Sequence, residues 1–172
     1  MSETRDERTV AARCAADLRA AVDGAEAALR AIGEEASRRH PAPDKWSPRE
    51  ILGHLIDSAS NNHRRFVLGQ VEEALRFPGY DQELWVSVQR YADAPWDNLV
   101  ALWASFNRHL AFLVESMTDD TLLRPRAAHN LREIGWHPPE GDDPATLAHI
   151  VRDYIGHLRH HLGQMPGLTT SR

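Results

Sequence analysis

Four long segments of the chain repeat apolar residues three or four positions apart, which is the spacing of an amphipathic helix. In the first of them Val10, Cys14 and Leu18 recur on one face. The segments cover residues 8–32, 48–75, 95–117 and 144–165. Each helix must bury its apolar face against the others. The sequence therefore predicts an all-α fold, a four-helix bundle, with residues 1–172 forming a single domain.

Two of the predicted helices carry a clear start signal. Ser47 and Glu50 flank Pro48 as a capping box, in which the serine caps the helix and proline occupies the first helical position. The second helix should therefore begin at Pro48. Asp143 followed by Pro144 repeats this entry chemistry, so the sequence predicts that the fourth helix begins at Pro144.

The connections differ in length. A loop containing Pro41 and Pro43 joins the first two helices. The segment 77–95 is too long for a tight turn and is predicted to hold a short helix around residues 82–91. Since such a connection can cross the bundle, the second and third helices need not be antiparallel. The turn-rich segment 118–143 is expected to lie over one end of the bundle and to shape a site there.

Charge and composition exclude several classes of protein. The formal net charge is -5 and the isoelectric point is about 6.0, so a nucleic-acid partner is not expected. No apolar run approaches the roughly 20 residues that cross a bilayer, and the first residues lack a signal-peptide pattern. We therefore expect a cytoplasmic protein without membrane contact. The single cysteine, Cys14, cannot form an internal disulfide.

Ten histidines are many for 172 residues, and two of them are spaced to share a ligand. His157 and His161 stand four residues apart, on one flank of the apolar stripe of the fourth helix. They could hold a metal ion, or they could simply form hydrogen bonds in the core. Leu158 occupies the position that glutamate takes in an HExxH motif, so the base of a zincin protease is absent. Neutral imidazole favours a transition metal.

A metal site needs at least a third protein ligand, and the best candidate is His54. On the second helix, His54, Ser58, Asn61 and Arg65 fall within about 40° of one another. This polar stripe has two interpretations: a solvated helix face, or the lining of a pocket. Of the remaining histidines, His160 projects to the solvated side and is not expected to be a ligand.

The sequence WSPREILGHLIDSASNNHRRF, together with FPGYDQELWVSVQRYADAPW and the distant YIGHLRHHLGQM, resembles the DinB-like superfamily. The resemblance implies a bundle of up-down-down-up topology, with a long crossover between the second and third helices. It also implies a metal triad of His54, His157 and His161, and a homodimer. The ion implied is a divalent transition metal, zinc first, with nickel or manganese as alternatives.

For activity, the resemblance implies either transfer of a low-molecular-weight thiol, of the bacillithiol or mycothiol type, or metal-dependent hydrolysis of a small molecule. The alternative is a non-catalytic metal-binding protein with a stress-related or interaction role. Asn61 and Arg65 could bind a carboxylate or amide of the substrate. Asp153, one turn before His157, could orient an imidazole.

Overall fold

The computed structural model describes residues 9–141 and 143–168, most of which are helical. In chain order the elements are α1 (Val10–Ser37), α2 (Pro48–Leu68), α3 (Gln82–Val88), a 3-10 turn (Tyr91–Asp93), α4 (Trp96–Glu115), α5 (Asp119–Leu123), α6 (Leu131–Ile134) and α7 (Leu147–Leu162). The four long helices correspond to the four predicted segments. Within the two described ranges there is no strand beyond two isolated bridges, and no helix is long and apolar enough to cross a membrane.

Helices α1 and α4 are antiparallel neighbours. At one end, the indole N–H of Trp96 donates to the carbonyl oxygen of Leu29 at 2.8 Å. At the other end, the guanidinium of Arg19 contacts the carboxylate of Glu115, the last residue of α4. Trp96 is buried, so its indole N–H needs this partner.

Helices α2 and α7 form the second antiparallel pair. Near one end of the pair His54 faces His157, and at the other end Gly69 packs against Leu147. Gly69 follows the last residue of α2, and a Cβ atom there would meet the Leu147 side chain. This pairing brings the predicted second and fourth helices into contact along the faces that carry the histidines.

Helices α1 and α7 are parallel, because Cys14 lies beside Arg152 and Asp17 lies beside Arg159 further along both helices. The four directions therefore follow an up-down-down-up order, as expected. Helices α2 and α4 point the same way, so a short turn cannot join them. The crossover over residues 69–95 makes this connection.

Helix α2 begins at Pro48 behind the predicted capping box. The Ser47 hydroxyl accepts from the backbone N–H of Glu50, and the Glu50 carboxylate accepts from the backbone N–H of Ser47 at 2.8 Å. The helix ends at Leu68, however, and not at Leu75 as predicted. Beyond it the chain pairs with a distant segment, because the Leu75 N–H donates to the carbonyl oxygen of Ala128 at 2.9 Å.

The predicted start of the last helix was wrong. Helix α7 begins at Leu147, and its cap is Thr146, whose hydroxyl accepts from the N–H of His149 at 3.1 Å. Ala145 is instead extended, because its N–H and carbonyl pair with the backbone of Arg126 at 3.0 and 2.8 Å. A backbone held in that bridge cannot be helical at the same position.

Helix α1 also runs further than residue 32. Gly33 interrupts it with a φ of 72°, a conformation that glycine adopts without a steric penalty, and one more turn follows to Ser37. That turn accepts hydrogen bonds from Arg49 of α2, through the Glu34 carbonyl at 3.1 Å and the Ser37 hydroxyl at 2.9 Å. The kink therefore has a packing role at the junction of α1 and α2.

Candidate metal centre

Three imidazoles meet between α2 and α7. His54, His157 and His161 each offer a ring nitrogen, and these atoms all lie within 4.8 Å of one another. The Nε2 atoms of His54 and His157 are 3.2 Å apart. His54 is only 1% exposed, and the other two histidines are half-buried. The two histidines that stand four residues apart on α7 thus lie beside a third histidine, His54, from α2.

Neighbouring polar groups leave ring nitrogens free at the centre. The Nδ1 atom of His161 lies 2.9 Å from Oε1 of Gln164, an acceptor that favours the tautomer with the proton on Nδ1 and a free lone pair on Nε2. The Nδ1 atom of His157 lies 3.4 Å from the Ser58 hydroxyl. Such contacts orient metal-binding imidazoles and set their tautomers.

Burial keeps the imidazoles neutral. It lowers the pKa of His54 to about 4, with a further contribution from His161, and lowers the pKa of His157 to about 3, assisted by the charges of the other two histidines. The pKa of His161 is also lowered, chiefly by burial. At neutral pH the three rings are therefore neutral imidazoles, which is the form that binds metals.

The donor set fits a divalent transition ion. Zinc binds histidine nitrogen at about 2.0–2.1 Å, so two imidazole nitrogens on a tetrahedral ion lie about 3.3 Å apart. The separation of 3.2 Å between His54 and His157 agrees with that value. Three neutral nitrogens without a carboxylate also suit zinc, nickel or copper better than calcium or magnesium.

A cavity of about 250 Å³ adjoins the triad. His54 and His157 form part of its wall. The polar stripe of α2 faces this space and not solvent, since Ser58 is 3% exposed and Arg65 is 8% exposed. Of the two interpretations of the stripe, the structure agrees with the pocket lining for His54, Ser58 and Arg65 and not with a solvated helix face.

One residue of the predicted stripe does not line the cavity, and the next residue in the sequence lines it instead. Asn61 is only half-buried, and its amide donates to the backbone carbonyl of Asp57 at 2.9 Å. Asn62 is the residue that lines the cavity, with 5% of its surface exposed. At 100° per residue, Asn62 follows Ser58 by about 40° and Asn61 lies on the other side of His54, so the cavity faces the Ser58 side of the stripe.

Asp153 lines the same cavity but has different partners from those expected. Its two carboxylate oxygens accept backbone N–H groups, from Trp136 at 2.9 Å and from His137 at 2.6 Å. The carboxylate thus holds the loop after α6 over α7. Trp136 lies so close to the helix there that a Cβ on Gly156 would meet its ring.

Sequence reasoning did not indicate Tyr80 or Gln164, and it indicated Trp136 only as part of the segment expected to lie over one end of the bundle and shape a site. Tyr80 lines the cavity from the crossover, where burial raises the pKa of its hydroxyl to about 12. Trp136 lies over the cavity from the loop before α7. Neither segment has a helical period that could predict its orientation. Gln164 lies three residues after His161, and this i, i+3 spacing was the available signal.

The other histidines do not join the triad. His160 is exposed and contacts Gln164 at 3.2 Å. His129 contacts the carbonyl of Asp143 at 3.0 Å, and His149 contacts the carbonyl of His137 at 3.0 Å. Each of these rings has a bonding partner in the loops or on the surface.

Comparison with known proteins finds relatives that are described as metal-dependent hydrolases. "Putative metal-dependent hydrolase YfiT" of Bacillus subtilis is 25% identical over 124 residues, which cover 72% of this chain and 64% of YfiT. A protein of Bacillus mycoides with the same descriptive name is 26% identical over 123 residues, with the same coverage. The match thus spans somewhat less than two thirds of each relative's length.

Among solved structures, YfiT from Bacillus subtilis is similar to this chain with a TM-score of 0.71, over 94% of this chain and 88% of YfiT. At 19% sequence identity this similarity concerns the fold, and YfiT is described as having an unusual four-helix bundle topology. The family model of the DinB superfamily matches residues 17–165, which include all four long helices in whole or in large part and all three histidines of the triad. The chain therefore belongs to the DinB superfamily.

Proposed function

We propose that His54, His157 and His161 hold one divalent transition-metal ion, zinc first, and that the adjoining cavity binds a small molecule for metal-dependent hydrolysis. The observation that carries the proposal is the convergence of three neutral imidazoles on the wall of a cavity of about 250 Å³. Family membership and the name of the relative in Bacillus subtilis support the same reaction class.

A bound ion would act as a Lewis acid and lower the pKa of a water molecule or thiol beside it. The protein supplies the remaining parts. Three ligands leave room for a further one, as catalytic sites require. Gln164 and Ser58 orient two of the rings. Because the pKa of the Tyr80 hydroxyl is about 12, this group stays protonated and can donate a hydrogen bond to the substrate.

Transfer of a low-molecular-weight thiol is the second candidate, and one observation favours it. A second cavity, of about 530 Å³, borders His161 from the side of the loop before α2. Gln82 lines both cavities. A reaction of two organic substrates needs space on two sides of the ion, whereas hydrolysis needs one cavity and water.

The metal centre is tested first. The purified chain, stripped with a chelator, should gain thermal stability with zinc, nickel or manganese and bind about one ion per chain. His157→Ala should lose roughly 100-fold or more in affinity, since it removes one of three ligands. His109→Ala, which changes an exposed histidine of α4, should retain wild-type affinity. Equal binding by wild type and His157→Ala would exclude the site.

Activity is tested with the metal-loaded protein. Hydrolysis of a panel of activated esters and amides is measured beside consumption of thiols with a chloronitrobenzene electrophile. Product formation that is lost in His54→Ala supports an enzyme, and the faster reaction identifies its class. Metal binding without turnover in either panel would favour the non-catalytic alternative. Light scattering of the same samples tests the homodimer that family membership suggests.

A further inference from the structure

Arg65 is a buried cation that makes no ion pair with a carboxylate among the described residues, although the charge of Asp153 favours its protonated form. Its side chain is 8% exposed, and its Nε atom has no hydrogen-bond partner. The one hydrogen bond of its guanidinium among the described residues runs from Nη1 to the amide oxygen of Asn62, at a long 3.4 Å. Burial lowers the pKa of Arg65, but arginine remains charged at neutral pH. A buried charge of this kind is costly unless a partner compensates it.

The other two buried arginines, by contrast, have several hydrogen-bond acceptors within the fold. Arg49 contacts the carboxylate of Glu34 and donates to the Ser37 hydroxyl and to backbone carbonyls. Arg126 donates to the carbonyl oxygens of Gly69 at 2.7 Å and Arg124 at 3.1 Å, although its Nε atom, like that of Arg65, has no hydrogen-bond partner. Arg65 differs from both because its donors face a cavity. The missing partner is therefore a group that enters this cavity.

We propose that Arg65 binds a carboxylate of the substrate, so that the cavity beside the triad takes a small organic acid. This inference rests on the proposed function, because it concerns a ligand of the same cavity. It does not require that the metal be present, since the guanidinium and the cavity belong to the protein itself.

The position of Arg65 limits the shape of such an acid. It lies eleven residues after His54 on α2, about 16 Å along the helix axis. Helical side chains lean toward the N-terminus, which brings the guanidinium closer to the triad. Both residues line the same cavity. The reacting group of the acid is therefore expected several bonds away from its carboxylate.

Charge balance favours a carboxylate over a phosphate. The guanidinium of Arg65 supplies one positive charge, and its planar fork matches the two oxygens of a carboxylate. Glu133 and Asp153 also line the cavity and add negative charge to its wall. The neutral groups beside Arg65 are the Asn62 amide and the Tyr80 hydroxyl. The two carboxylates repel a dianion more strongly than a monoanion, and the single charge of the Arg65 guanidinium balances only a monoanion.

The test uses a pair of probes of nearly equal size, 3-phenylpropionate and its neutral amide, measured by calorimetry with metal-loaded and metal-free protein. The wild type should bind the carboxylate roughly 10- to 100-fold more tightly than the amide, in both states. Arg65→Gln should lose this preference, and Arg65→Lys should keep only part of it. Arg64→Gln, which removes an exposed neighbouring charge, should leave it unchanged.

Three outcomes would overturn the inference: equal binding of the two probes by the wild type, a preference that survives in folded Arg65→Gln, or tighter binding of phenyl phosphate than of the carboxylate. Circular dichroism and metal titration of each variant show whether it folds and keeps the triad. Loss of the carboxylate preference in Arg65→Gln with unchanged zinc affinity separates this site from the metal centre. If the protein proves not to bind a metal, the metal-free protein is still expected to prefer the carboxylate probe over the amide.

Discussion

His54 and His157 are imidazoles that the fold removes from water. Burial keeps both rings neutral, with pKa values of about 4 and about 3 against an ordinary 6.5. The same property that prepares them for a metal makes the metal-free protein sensitive to acid. In the unfolded chain each ring binds a proton near pH 6.5, and in the folded chain it resists protonation until a much lower pH.

We therefore expect the unfolding free energy of the metal-free protein to fall as the pH drops from about 6.5 toward about 4 for His54 and about 3 for His157. In that window the unfolded state binds more protons, so acid favours unfolding. Each ring should contribute roughly 2 kcal/mol between pH 7.5 and pH 5. Urea denaturation at the two pH values, with a chelator present, measures the difference.

The variants needed to assign this effect are single substitutions. His157→Gln should flatten the pH dependence, and His109→Gln, at an exposed ring of α4, should leave it as in wild type. Burial raises the pKa of Asp57, which acts in the opposite direction, so the comparison between variants is the measure. An unchanged slope in His157→Gln would contradict the assignment.

At the scale of elements, α2 is the helix that carries both a metal ligand and the polar wall of the cavity. Close packing fixes α2 beside His54. Gly53 leaves space for the ring of Tyr91, and the Tyr91 hydroxyl donates a hydrogen bond to the buried Asp57 carboxylate at 2.7 Å. A Cβ at position 53 would overlap the Tyr91 ring. The 3-10 turn is thereby held against α2 one residue away from His54.

Gly53→Ala should lower the unfolding free energy by about 1–3 kcal/mol, because overpacking displaces Tyr91 and weakens its hydrogen bond to Asp57. Gly24→Ala in α1 is the matched control. No atom lies within 4 Å of a Cβ there, so alanine should stabilise that helix by about 0.5–1 kcal/mol. Denaturant melts of the two variants should thus shift in opposite directions, and a stabilised Gly53→Ala would contradict the packing described.

Element boundaries show where local sequence is informative. The capping box of Ser47 and Glu50 marked the start of α2 correctly because both of its hydrogen bonds are made within one helical turn. Pro144 gave an equally plausible local signal for α7, yet the helix starts at Leu147. There the bridge between Arg126 and Ala145 competes with helix formation, and no pattern within either segment reveals the other.

At the scale of the whole molecule, Arg49 joins three parts of the fold. It is completely buried near the start of α2. It donates to the Ser37 hydroxyl and the Glu34 carbonyl at the end of α1, and to the carbonyl oxygens of Ala92 and Ala94 before α4. Its ion pair with the Glu34 carboxylate adds a charge partner.

Arg49→Ala should therefore cost about 3–5 kcal/mol of unfolding free energy, because several buried acceptors lose their donor together. Arg49→Lys should recover only part of this loss, since an ammonium group cannot reach the same acceptors in one plane. Arg39→Ala, at an exposed position, should change stability by less than about 0.5 kcal/mol. Equal melting curves for Arg49→Ala and Arg39→Ala would contradict this role.

The local sequence determined the four long helices, the start of α2 and the spacing of His157 and His161, because periodicity and capping act within a few residues. It also indicated that His54 and Arg65 share one face of α2. Only the tertiary structure decided that this face lines a cavity, that Asn62 replaces Asn61 in its wall, and which groups contact Asp153. Those outcomes depend on side chains brought together across some 100 residues by the antiparallel packing of α2 and α7, as at His54 and His157. Burial, which keeps the three imidazoles neutral and leaves the Arg65 guanidinium without an ion pair among the described residues, is a property of the packed bundle and not of any segment alone.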